Sequence, residues 1–143
     1  MTQFSIFAPV GALVLLTFAV LIQIPIRRFR AGAAGQIVAD DFKFGESSTV
    51  PGHVSIPNRN YMNLLELPML FYVVCLILFV TAGTTNLAVA VAWAYVALRI
   101  VHSLIHLTYN RVMHRLTAFA ISSTVLALLW VLAALHLAAN PLA

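Results

Sequence analysis

Four apolar runs, at roughly residues 5–27, 60–82, 86–109 and 114–139, leave little freedom in what this chain can become. Each exceeds the ~20 residues that a helix needs to cross the hydrocarbon core of a bilayer. Of the whole chain, 62% is hydrophobic and 8% charged, whereas a soluble domain is about half apolar and a quarter charged. The expectation is an all-α integral membrane protein, an antiparallel four-helix bundle, with residues 1–143 as one domain and a first loop at about 28–59.

The placement of charge orients that bundle. All eight basic residues, Arg27, Arg28, Arg30, Lys43, Arg59, Arg99, Arg111 and Arg115, fall toward one end of the spans, and the loop Ala82–Asn86 has none. An excess of Lys and Arg marks the cytoplasmic side. Both termini are therefore expected outside, with loops 1–2 and 3–4 in the cytosol. The net charge of +4 is accounted for by this bias and is no nucleic-acid footprint. The first run has its basic cluster after it rather than before it, which suits an anchor that stays in the protein. Arg27, Arg28 and Arg30 are read as stopping span 1 in the headgroup layer, against anionic lipid. Residues 31–58, with four glycines and two prolines, are read as a solvated cytosolic loop that lies on the membrane through Phe42 and Phe44. The single Cys75 is mid-span, so it forms no internal disulfide and reads as packing.

Against this background a few polar groups stand out. Arg59, Asn63 and Glu66 are spaced i, i+4 and i+7, on one face of a helix. Glu66 is the only acidic residue in any apolar run, and a carboxylate at membrane depth faces protein, water or a ligand rather than lipid. Pro68 follows it and is expected to kink the helix there. In span 3, Arg99, His102, His106 and Tyr109 share one stripe, at offsets 0, 3, 7 and 10. At 1.5 Å per residue, Glu66 lies ~9 Å inside span 2, between the depths of His102 at ~12 Å and His106 at ~6 Å in span 3. The two polar faces are thus at matching heights. Arg115 opens span 4 after the tight turn at Asn110.

Several chemistries can use such a set. A purely structural one pairs Glu66 with Arg99 inside a non-catalytic scaffold or accessory subunit. Haem would need two histidines on facing helices, but His102 and His106 share a helix and His136 is at the far end, so no haem is expected. Zinc at His102, His106 and Glu66 rests on i, i+4 histidines alone, and no metal is expected either. A pocket for an anionic, thiol-bearing ligand uses every member: Arg59, Arg99 and Arg115 for carboxylates and thiolate, Glu66 for an amine. The thiolate would attack a lipophilic electrophile dissolved in the bilayer.

These residues resemble the MAPEG superfamily, the membrane-associated proteins in eicosanoid and glutathione metabolism, in a bacterial-type branch. Arg59, Asn63, Glu66 and Pro68 follow the order of the family's span 2 motif. Arg99, His102, His106 and Arg115 stand at offsets 0, 3, 7 and 16, where the prostaglandin E synthase branch has Arg, His, Tyr and Arg. The resemblance spans most of the chain. It implies a homotrimer of four-helix subunits in the bacterial inner membrane, with glutathione bound at subunit interfaces near the cytosolic side. By position, Arg59, Asn63, Glu66, Arg99, His102, His106 and Tyr109 would bind the ligand, and Arg115 would activate its thiol. The implied activity is a glutathione-dependent transferase or peroxidase with lipophilic substrates. The chain departs from the pattern in an early Pro68, in His106 for the family's Tyr, and in Leu67 where eicosanoid enzymes often have Tyr.

Overall fold

A computed structural model describes residues 2–140 of the chain. Its regular elements are helical, and no strand occurs among the described residues. A 3-10 turn (Gln3–Ile6) leads into α1 (Phe7–Ala33). After the first loop, α2 (Gly52–Leu65) and α3 (Pro68–Val80) form one broken rod, followed by α4 (Asn86–Leu107) and α5 (Val112–Ala139). Four stretches are long and apolar enough to cross a membrane: Gln3–Ala33, Gly52–Val80, Asn86–Leu107 and Val112–Ala139. Of these, α4 is the central one, with 56% of its most apolar window buried against 22–33% in the others. Its Ala88, Ala92 and Val96 are small enough for close approach, and they meet Leu13 and Val20 of α1, Val74 and Leu78 of α3, and Leu126 and Leu129 of α5 in one core. Phe71 of α3 stacks on Tyr95 of α4 at 4.8 Å. Leu15, Phe18, Leu76 and Leu135 point outward and are exposed, a surface suited to lipid or another chain rather than water.

The first loop departs from expectation. Residues 31–33 extend α1, and α2 begins at Gly52, some two turns before the apolar run. Pro51 and Pro57 read as loop punctuation in the sequence, yet Pro57 is inside α2. A proline has no N–H for the carbonyl one turn back, which here is that of His53. Arg27 supplies the missing donor: its Nη1 donates to the His53 carbonyl at 2.9 Å. Its Nη2 donates to the Leu107 carbonyl at 3.3 Å, one of the last carbonyls of α4, which lack helical partners. Arg27 therefore ties α1, α2 and α4 together instead of merely meeting headgroups. Beyond α1 the chain reverses at Gly35 (φ 67°), where the Gln36 N–H donates to the Ala31 carbonyl at 2.9 Å. That left-handed closing residue is one glycine adopts without strain. Ile37 and Val50 then bury themselves with Ala31 and Val54, and Phe42 packs against them. The loop has a small core of its own and is not simply solvated.

At the opposite end, Gln3 holds the α3–α4 turn: its Nε2 donates to the Ala82 carbonyl at 3.3 Å, and its Oε1 accepts from the Thr84 N–H at 3.3 Å. His136 of α5 donates through Nε2 to the Thr81 carbonyl at 2.9 Å. Its ring lies so close to Gly83 that a Cβ there would sit 2.5–2.9 Å from ring atoms. Only glycine fits.

The sequence predicts a kink at Pro68, and the structure has a complete break. α2 stops at Leu65, Glu66 takes ψ −92°, and α3 restarts with Pro68 in its first turn. The N–H groups of Met69 and Leu70 fold back to the Glu66 and Leu67 carbonyls at 3.1 and 3.0 Å. The proline removes the donor for the Leu64 carbonyl, and the chain closes a tighter turn in its place.

Candidate functional site

The break in the α2–α3 rod leaves carbonyls at the end of α2 without helical donors. Arg99, with 0% exposure the largest fully buried side chain, answers one of them: its Nη2 donates to the Asn63 carbonyl. A cation at a helix C-terminus also faces the negative end of the helix dipole. One turn further along α4, the Ser103 hydroxyl donates to Oδ1 of Asn60 at 3.3 Å, and both residues are buried. The polar faces of α2 and α4 thus meet through Asn60, Asn63, Arg99 and Ser103.

Glu66 takes no part in that contact. It is exposed on the flank of the broken rod, and the only ion pair among the described residues joins Arg28 to Glu46 at 3.2 Å. The Glu66–Arg99 pair of the scaffold reading is therefore not formed. The Glu66 N–H still donates to the Met62 carbonyl at 3.1 Å, so its side chain follows the α2 spacing and is exposed as Arg59 is, and the guanidinium takes a backbone carbonyl instead. Arg99 still has buried Nε and Nη1 groups without partners, as do Asn60 Nδ2, His102 Nδ1 and His106 Nδ1.

Beside this polar layer opens a cleft of about 260 Å³. Asn63 of α2, His102 of α4, and Val112, Arg115, Leu116 and Phe119 of α5 line it. Arg115 is anchored there because Asn110 closes α4 in the left-handed conformation (φ 47°), which a short amide side chain tolerates, and its Oδ1 accepts from Arg115 Nη1 at 2.9 Å. The Phe119 ring lies 5.7 Å from the Arg99 guanidinium and 6.0 Å from the His102 ring.

Residues 6–135 match the model of the MAPEG family. The chain belongs to the MAPEG family. With its four spanning-length helices, this MAPEG protein is an integral multi-pass membrane protein. No curated protein and no solved structure matches it.

Of the positions carried over from the family motifs, the MAPEG chain brings three, Asn63, His102 and Arg115, to one cleft. Arg99 and His106 are buried behind it. Arg59 is exposed, and its carbonyl accepts from the Asn63 side chain at 3.0 Å. Tyr109, 57% exposed, is separate: it lines a different groove and shares a 3.2 Å hydrogen bond with His114 Nδ1. Four residues that contribute to the cleft escape the sequence reading: Val112, Leu116 and Phe119 in its lining, and Asn110, which holds Arg115. Phe119 resembles any apolar residue of a span. Asn110 is visible only as a turn residue, although an asparagine closing a helix is the signal for a left-handed cap. Among the described residues, no group of three His, Cys, Asp or Glu comes together as metal ligands do.

Proposed function

We propose that this protein is a membrane-bound, glutathione-dependent transferase or peroxidase for lipophilic substrates. One observation carries the reading beyond family membership: residues from α2, α4 and α5 far apart in sequence, Asn63, His102 and Arg115, converge on a single cleft. Glutathione offers two carboxylates, an amine and a thiol. Arg59 and Asn63 suit a carboxylate, Glu66 suits the amine, and Arg115, steadied by Asn110, suits the sulfur. A guanidinium beside the sulfur favours the thiolate, whose proton leaves to solvent. The sulfur then bonds to an electrophilic carbon as the bond to the leaving group breaks. With a lipid hydroperoxide it takes the terminal oxygen, the alcohol departs, and a second glutathione converts the sulfenic acid to disulfide and water.

The same reading calls for more than one subunit. About 260 Å³ is below the ~300–1,000 Å³ of ordinary ligand pockets, and Arg59 and Glu66, one turn either side of the cleft residue Asn63 in sequence, are exposed rather than part of its lining. A homotrimer, in which a neighbour closes the cleft over these residues, completes the site. The arginine-bearing end faces the cytosol, where glutathione is available, by the positive-inside bias.

Calorimetry of the purified protein in detergent tests this. Wild type is expected to bind glutathione at millimolar concentration. Arg115→Ala is expected to keep the fold and lose about 10²-fold or more in turnover with a generic aryl halide, the range for losing one charge-stabilising group. No glutathione binding by the wild type removes the hypothesis. Unchanged turnover in Arg115→Ala removes the role of that residue.

A further inference from the structure

A larger cleft, about 510 Å³, lies between the end of α1 and the loop folded over it. Its volume is within the range of ligand pockets, and like them it is mostly apolar with few polar groups. Ile24, Phe29 and Gly32 of α1 form one wall, Val38 and Phe42 of the loop the other, and Arg28 is the single cation between them. The Arg28 guanidinium lies 4.1 Å over the Phe42 ring, its Nη2 meets Glu46 at 3.2 Å, and its Nε is buried without a partner. None of these residues belongs to the cleft at Arg115.

Two observations say what would occupy it. The first is position. Ile24 belongs to a spanning stretch and Val38 to the loop outside it, so the cleft straddles the bilayer boundary. Around it Phe29, Val38 and Phe44 are 79%, 65% and 95% exposed, although the loop has a core in which Ile37 and Val50 are buried. Large apolar side chains left outside such a core, next to a spanning helix, mark the side that enters lipid. The second is charge. The Lys43 ammonium lies 5.6 Å over the Phe44 ring and has no carboxylate partner among the described residues. Of the nearby acids, Glu46 is engaged by Arg28, and Asp41 accepts from the Val38 N–H and from Thr49. Asp40 and Asp41 both oppose them, but with Arg27 and Arg30 of α1 the segment 24–46 still carries four cations (Arg27, Arg28, Arg30, Lys43) against three carboxylates (Asp40, Asp41, Glu46).

We propose that this cleft seats one acyl chain of an anionic phospholipid from the leaflet on the arginine-bearing side, its phosphate drawn by Arg28 and Lys43. The lipid holds the first loop against α1, and the assignment is independent of glutathione chemistry.

The test is the unfolding midpoint of the full chain in dodecyl maltoside, titrated with dioleoyl phosphatidylglycerol, dioleoyl phosphatidylcholine, oleate or inorganic phosphate. Phosphatidylglycerol is expected to raise the midpoint saturably and the other three much less. Lys43→Gln weakens the apparent affinity about fivefold, the contribution of one cation near an anionic surface. A Cβ at Gly32 meets nothing within 4 Å, so Gly32→Leu places its side chain in the cleft from an unobstructed Cβ; it abolishes the shift while leaving the lipid-free midpoint at or above the wild-type value, since leucine favours the helix over glycine. Should that variant fail to fold, Val38→Glu, on an exposed side chain, gives the same reading. Equal shifts with phosphatidylcholine, a shift reproduced by oleate or by phosphate alone, or an undiminished shift in the cleft variants would each overturn the proposal.

Discussion

Arg27 and Pro57 are thirty residues apart, and the structure makes them a coupled pair. Arg27→Met removes the donor to the His53 carbonyl and the one to the Leu107 carbonyl. A hydrogen bond from a charged donor contributes about 1.5–3 kcal/mol when well buried. The His53 bond is exposed and water competes for it, so about 1 kcal/mol is the better figure there, with a similar amount at the partly buried Leu107. The single substitution should therefore cost about 2 kcal/mol. In Pro57→Ala protein, residue 57 regains an N–H that can close the ordinary helical bond to His53. Arg27→Met in that background still loses the Leu107 contact and the long 3.4 Å one to Gln23 Oε1, which it loses in either background, but not the one to His53, and its cost falls to about 1 kcal/mol. Lost proline packing and altered unfolded-chain entropy are common to both backgrounds and cancel in the cycle. The assay is equilibrium unfolding in dodecyl maltoside–SDS mixed micelles for all four proteins. Effects that add to within about 0.5 kcal/mol would refute the claim that Arg27 substitutes for the N–H that Pro57 lacks.

Other expectations are simpler. Gly83→Ala should destabilise by about 1–3 kcal/mol, because its Cβ would meet the His136 ring; a smaller loss in unfolding free energy would mean that the ring can move aside. Ala82→Gly should stabilise by about 0.5–1 kcal/mol, since Ala82 sits at φ 56°; the same titration reads it, and destabilisation would contradict it. Glu66→Gln should move the unfolding free energy by less than about 0.5 kcal/mol, because the side chain is exposed and has no ion-pair partner among the described residues. The same change should weaken glutathione binding about tenfold or more by calorimetry; a large stability loss with unchanged binding would restore the structural ion pair with Arg99.

Much of the site is legible along the chain because helical spacing survives folding. Arg99, His102 and His106 are on the buried face that their offsets imply, and Asn63 meets that face through its carbonyl. Arg59 and Glu66, seven residues apart, are both exposed; the spacing leaves open which way their shared face turns. Tyr109 is the instructive failure: α4 stops at Leu107, so position 109 no longer follows the stripe.

Run length and composition alone settle the four spanning helices, because lipid offers the backbone no partners and the chain must satisfy itself locally. Partnerships are a different matter. Whether a guanidinium meets a carboxylate or an orphaned carbonyl depends on which backbone groups proline has left open and on what folds beside them. Arg27 at His53 and Arg99 at Asn63 are both decided that way. The loop around Ile37 and Val50 is likewise settled only when α1 and α2 supply the surface it packs on. In this chain local periodicity determines which segments cross the membrane, and the breaks in that periodicity, read only in three dimensions, determine what its charges hold.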